Sequence, residues 1–171
     1  MNASSLDIPS LIKDKQDIIG IEIGVERGLG SDWLLSNLSF KKLYGIDPYL
    51  PYSDPDVHHS NDENQAELNK QAALQLLAKY SNFELIQKTS DDAVTQFEDS
   101  SIDFIFIDGQ HTYEQCKKDI LNYYPKVKTG GLFAGHDFNY APGVSRAVSE
   151  LAFTLFKDIQ TCRNDVWYWF K

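Results

Sequence analysis

Ile18-Ile19-Gly20-Ile21-Glu22-Ile23-Gly24-Val25-Glu26-Arg27-Gly28-Leu29-Gly30-Ser31 decides how the rest of the chain is read. The isoleucine-rich first half is a β-strand by composition, and the glycines that follow make a tight turn into a helix. Ser31 or Asp32 is placed to cap that helix. Glu22 sits inside the strand, two residues before Gly24. A phosphate cradle of backbone N–H groups would be weakened by a carboxylate there, whereas a ligand carrying an ammonium or sulfonium charge is welcomed by it.

A second acidic anchor follows at the end of Lys42-Leu43-Tyr44-Gly45-Ile46-Asp47-Pro48. Asp47 closes a short strand where a carboxylate can accept ribose hydroxyls, as in dinucleotide folds. The glycine spacing Gly24-x-x-x-Gly28-x-Gly30 is not the G-x-G-x-x-G of those folds, so the loop by itself suits either a different, cationic nucleoside cofactor or an ordinary glycine turn.

The chain has 171 residues, 42% hydrophobic and 24% charged, which suits one domain with one sizeable core. No apolar run reaches the roughly 18 residues of a membrane span, and Met1-Asn2-Ala3-Ser4-Ser5 lacks a signal-peptide pattern, so a cytoplasmic location and no membrane partner are expected. A formal net charge of −9 argues against a nucleic-acid partner, since phosphate binding needs clustered Lys and Arg. A small-molecule acceptor is expected instead. Cys116 and Cys162 lie in no metal or disulfide motif and read as packing residues.

Apolar runs alternate with amphipathic ones, the pattern of a single-domain, Rossmann-like, doubly wound α/β fold with a mostly parallel sheet. Seven strands are expected at 18–24, 42–47, 83–87, 102–108, 131–135, 157–162 and 165–170. Helices are expected at 6–14, 31–38, 62–80, 91–97, 112–127 and 143–153, the first forming an N-terminal helix within residues 1–17. Leu68, Ala72, Leu76 and Leu77 read as the buried stripe of the third helix, with Asn82 as its stop. Only Arg163 and Asn164 separate the last two strands, which makes them an antiparallel C-terminal edge hairpin. Residues 48–61, with three prolines, two tyrosines and the pair His58 and His59, read as an irregular loop covering the ligand edge of the sheet.

A third constellation joins two strand ends. Ile102-Asp103-Phe104-Ile105-Phe106-Ile107-Asp108-Gly109-Gln110-His111 closes a central strand in an aspartate, with a histidine three residues on. Gly130-Gly131-Leu132-Phe133-Ala134-Gly135-His136-Asp137 closes the next. Adjacent strands lie about 4.8 Å apart, so Asp108, His136 and Asp137 can share one ion or substrate. Carboxylates suit magnesium or manganese, and an imidazole pulls toward manganese, iron or zinc.

Taken together, Glu22-Ile23-Gly24-Val25, Ile107-Asp108-Gly109-Gln110-His111 and Gly131-Leu132-Phe133-Ala134-Gly135-His136-Asp137 resemble the class I S-adenosylmethionine-dependent methyltransferases. Within them the likeness is to small O-methyltransferases related to macrolide-sugar and cephalosporin-tailoring enzymes. The resemblance implies S-adenosyl-L-methionine as cofactor, bound by Glu22, Gly24, Gly28, Ser31, Asp47, Ser90, Asp91 and Asp108, with Ser90 and Asp91 at the adenine. It also implies a magnesium or manganese site at Asp108, His136 and Asp137, and catalytic roles for His111, His136 and Asp108, with His111 as general base. The acceptor is expected to be a hydroxyl of a small molecule or sugar. The family's larger members carry an N-terminal extension, and fewer than twenty residues precede the first strand here, so the acceptor side is expected to be open or completed in a homo-oligomer. Two other readings use the same residues: a metal-dependent hydrolase built on Asp108, His136 and Asp137, and a cofactor-binding module without transfer.

Overall fold

The computed structural model describes residues 8–54, 59–162 and 165–171. In chain order the elements are α1 (Ile8–Ile12), β1 (Ile18–Ile23), α2 (Leu29–Asn37), β2 (Phe40–Ile46), β3 (Tyr52–Asp54), β4 (His59–Asn61), α3 (Glu63–Leu77), β5 (Phe83–Ile86), α4 (Ser90–Ala93), β6 (Ile102–Ile107), α5 (Tyr113–Tyr123), α6 (Pro142–Thr154) after β7 (Val127–Gly135), then β8 (Gln160–Cys162) and β9 (Val166–Phe170). Seven strands form one sheet in the order β5-β2-β1-β6-β7-β9-β8. The first five are parallel, while β9 runs antiparallel to β7 and β8 antiparallel to β9. This is the expected doubly wound sheet with an antiparallel hairpin at its edge.

Side-chain alternation along β6 explains the layering. Phe104 and Phe106 pack on one face with Ile8, Leu34 and Leu38, and Ile105 and Ile107 pack on the other with Ile120, Val144 and Trp169. The sheet order reverses between β1 and β6, whose crossovers leave in opposite directions, and that is where an open α/β sheet forms its ligand crevice.

Several local expectations are corrected. Gly28, not Ser31 or Asp32, caps α2, with φ 81° and no side-chain hydrogen bond, so the helix starts earlier than expected. The buried face of α3 is Ala66, Asn69, Ala73 and Leu77, and Leu68 is 49% exposed, because the helix is rotated to lay small residues against its neighbours. Asn82 does not end α3, which stops at Leu77; its side chain donates to the Phe40 carbonyl. Strand β7 begins four residues before expectation, at Val127, and carries a register irregularity opposite Ile102 and Phe104 that absorbs Gly130. Strand β8 starts at Gln160, because Lys157 N–H still bonds to Ala152 O in the terminal turn of α6. The segment 48–61 is not wholly irregular: β3 and β4 pair as a short antiparallel ladder, Tyr52 opposite Asn61. His58 lies outside the described residues, and His59 opens β4.

Candidate active site

A cavity of about 790 Å³ opens along the carboxyl edge of β5, β2, β1 and β6, a size that suits a small-molecule ligand. Glu22, Gly24, Asp47, Ser90, Asp91, Asp108, His111 and Asp137 all line it. Gly28, Ser31 and His136 do not, which corrects their expected direct contacts. Among the described residues the lining includes Glu26 and Asp119 as further acids and contains neither Lys nor Arg.

Glu22 is 2% exposed, and burial pushes its carboxyl up to about 8. The hydroxyl of Ser31, fully buried on α2, donates to it. Ser31 therefore acts through Glu22 rather than as a cap, and Gly30 leaves the space that the Glu22 carboxyl enters. Gly24 has φ +91°, and a Cβ on it would collide with the Asp108 carbonyl, so the turn passes directly beneath β6's end. Gly28 has φ +81° and its missing side chain is filled by Leu77, which joins α2 to α3.

Asp47 holds the glycine loop. Its Oδ2 accepts from Val25 N–H at 3.1 Å and Glu26 N–H at 2.9 Å, and its Oδ1 accepts from Tyr49 N–H at 2.8 Å. Burial still raises its pKa, with those backbone bonds opposing. The Tyr49 hydroxyl donates to Glu26 O at 2.9 Å, tying the cover segment to the same loop.

At the ends of β6 and β7, Asp108, His111 and Asp137 offer donor atoms all within 4.8 Å of one another. His111 Nε2 lies 2.8 Å from Asp137 Oδ2. His136 Nδ1 lies 3.0 Å from Asp137 Oδ1 and 3.8 Å from Asp108 Oδ1, and the residue borders a void of about 10 Å³ that Asp108, His111 and Asp137 share with Cys116, Val144 and Trp167. The convergent set thus contains His111 where the sequence pointed to His136. Burial holds the Asp108 carboxyl above the usual range. Although burial opposes it, hydrogen bonds from His111 and His136 hold Asp137 below that range. Two carboxylates and an imidazole on one cavity wall fit a hard divalent cation.

Two residues that sequence reading missed stand on α5. Gln115 and Asp119 line the cavity beside Ser90, and Asp119 is pushed up to about 6 by burial. The available signal was a carboxylate at 119 on the helix face otherwise formed by Cys116, Ile120 and Tyr123.

The sheet order, the glycine turn under β6 and the acid-lined crevice define a class I methyltransferase fold. A model of the methyltransferase domain family matches residues 21–138, and the chain belongs to that family. An uncharacterized protein of Acanthamoeba polyphaga mimivirus is 29% identical over 145 residues, covering 81% of this chain; the chain spans 61% of that relative's length. Among solved structures, the O-methyltransferase NovP superposes with a TM-score of 0.66 at 19% identity, covering 96% of this chain and 76% of that one. A calicheamicin methyltransferase superposes with a TM-score of 0.67 at 13% identity, covering 94% and 74%. At these identities the likeness to solved structures speaks for the fold. Among the described residues no helix is long and apolar enough to cross a membrane.

Proposed function

We propose that the protein transfers a methyl group from S-adenosyl-L-methionine to a hydroxyl of a small molecule or sugar, with magnesium or manganese held by Asp108 and Asp137 and His111 standing beside it. The observation that carries the reading is a cavity at the sheet's switch point whose lining among the described residues includes seven acidic side chains, Glu22, Glu26, Asp47, Asp91, Asp108, Asp119 and Asp137, and no Lys or Arg. A phosphorylated cofactor would find no cationic partner in that lining, whereas a sulfonium nucleoside with an α-amino group brings the positive charge that favours the ionised form of Glu22 and its neighbours. When bound, S-adenosylmethionine supplies an electrophilic methyl, and a divalent ion supplies charge stabilisation for the attacking oxygen.

The chain's residues do the rest. Glu22, kept in place by Ser31, faces the cationic end of the donor beside Gly24. Asp47 has spent three of its lone pairs on the loop and on Tyr49, which leaves Oδ1 able to accept from one ribose hydroxyl. His111 serves as general base for the acceptor's proton, and Asp137, whose Oδ2 lies 2.8 Å from its Nε2, stabilises the imidazolium that forms. Tyr49, Leu50 and Tyr52 of the cover segment line the cavity and restrict water. Holding donor and acceptor in line contributes up to about 7–11 kcal/mol to such a displacement.

Calorimetric titration with S-adenosylhomocysteine tests the reading. Saturable one-to-one binding is expected, and no binding would leave the metal-dependent hydrolase as the better account of Asp108 and Asp137. Saturable binding without transfer to any hydroxyl acceptor would instead favour a binding module.

A further inference from the structure

Asp137 lies just beyond β7 with φ +60°, in the left-handed region where an aspartate stays only when its surroundings fix it. The loop it opens is held from two sides. On the β6 side, His136 N–H donates to Ile107 O at 3.0 Å, and within the loop Ala141 N–H closes a turn onto Asp137 O at 3.0 Å. The other braces come from the C-terminal hairpin. Trp167 of β9 donates its indole N–H to His136 O at 3.2 Å. Asp165, just ahead of β9, accepts from Phe138 N–H at its backbone carbonyl, at 3.1 Å. Its Oδ1 accepts from Asn139 N–H at 2.8 Å and from the Asn139 side-chain amide.

One residue therefore turns both its carbonyl and its carboxylate onto the two residues that follow Asp137. Asp165 is itself left-handed, with φ +69°. It is not among the residues that line the cavity, so it reaches the site through the loop and not by touching a ligand. A charged acceptor makes these bonds stronger than a neutral one would. Groups that bind a small ligand or ion have to be placed to within about 0.5 Å, and a left-handed residue at a strand end meets that tolerance when the chain on either side of it is pinned. Removing a partner that orients a metal ligand from behind typically costs about 10–100-fold in metal affinity.

We propose that Asp165 is a positioning residue for the cation site: by fixing Phe138 and Asn139 it sets where Asp137 presents its carboxylate. The inference rests on the ion-assisted reading above and deepens it, because it makes the C-terminal hairpin part of the site's framework.

Calorimetric titration of the full chain with manganese, paired with titration of the same samples with S-adenosylhomocysteine, tests it. Asp165→Gly keeps the left-handed backbone and the carbonyl that serves Phe138, and removes the carboxylate alone. Its manganese affinity is expected to fall about tenfold or more, with S-adenosylhomocysteine affinity within about twofold of wild type. Asp165→Asn tolerates the same φ and keeps an Oδ1 acceptor, so it is expected to bind manganese within about threefold of wild type. Thr161→Gly weakens β8 without touching the loop and is expected to leave manganese affinity unchanged. Should Asp165→Gly fail to fold, as judged by thermal unfolding, Asn139→Ala removes one of the two donors to Oδ1 and is expected to lose about threefold. Unchanged manganese affinity in a folded Asp165→Gly or Asn139→Ala overturns the proposal. Equal losses for manganese and S-adenosylhomocysteine, or an equal manganese loss in Thr161→Gly, overturn it in favour of a general loosening of the hairpin. Saturable S-adenosylhomocysteine binding with no manganese binding in the wild type overturns the ion and this proposal together and leaves the methyl-donor reading standing.

Discussion

A carboxyl taken out of water keeps its proton longer, and Glu22 carries this consequence for the whole fold. Burial raises it from 4.5 to about 8, so the folded state binds its proton more tightly than the unfolded chain does. The resulting stabilisation is complete below the unfolded value and is lost as pH rises through the folded one. We expect the urea midpoint of the ligand-free protein to fall between about pH 5 and about pH 8. Glu22→Gln keeps an oxygen for Ser31 and has nothing to titrate, so its midpoint should fall less; an equally steep fall would assign the effect to another buried acid. Gly24 is the other decisive single residue. Gly24→Val forces a branched side chain into φ +91° and against the Asp108 carbonyl, a strain on the order of 1–3 kcal/mol before any clash is counted. Its melting temperature should drop and S-adenosylhomocysteine binding should be lost, and normal binding in the variant would contradict the close passage of this turn beneath β6.

Elements differ in how much of them the amino-acid pattern reveals. Strands β1, β2, β5 and β6 were readable because continuous β-branched and aromatic runs have few other uses, and their terminal acids, Asp47 and Asp108, fall at the cavity as expected. Helix α3 was not, because Leu68 and Leu77 are indistinguishable by hydropathy and only the packing against Gly28 and Val25 chooses between them. Leu77→Ala should destabilise by about 2–4 kcal/mol in denaturant unfolding through loss of packed volume. Leu68→Ala should change stability by less than about 0.5 kcal/mol. The roles of Ser31, Gln115 and Asp119 were hidden for a related reason. A polar side chain on a helix reads as solvated until a partner from another element, Glu22 or Ser90, is seen opposite it. The C-terminal hairpin also does more than close the sheet: Asp165 O accepts from Phe138 N–H at 3.1 Å and its Oδ1 from Asn139 N–H at 2.8 Å, which braces the loop just after Asp137.

Across the whole molecule, a net charge of −9 and a carboxylate-lined crevice act in the same direction, drawing cations toward the carboxyl edge of the sheet. That bears on the divalent ion. Methyl transfer should fall when a chelator removes it and return with manganese or magnesium. Asp137→Ala should lose the response to added metal while keeping most of its affinity for S-adenosylhomocysteine, because Glu22, Gly24 and Asp47 are untouched. Full transfer after exhaustive chelation would remove the ion from the reaction and make His111 or His136, acting as base without it, the better account.

Trp167 is buried in β9, meets the Phe133 and Trp169 rings at tilted angles, and donates its indole N–H to the carbonyl oxygen of His136 at 3.2 Å. That single bond joins an ultraviolet chromophore to the backbone one residue before Asp137. The protein therefore carries its own optical reporter: a ligand that shifts the His136–Asp137 peptide changes the polarity felt by an indole that solvent does not reach, so occupancy can be followed by emission without a label.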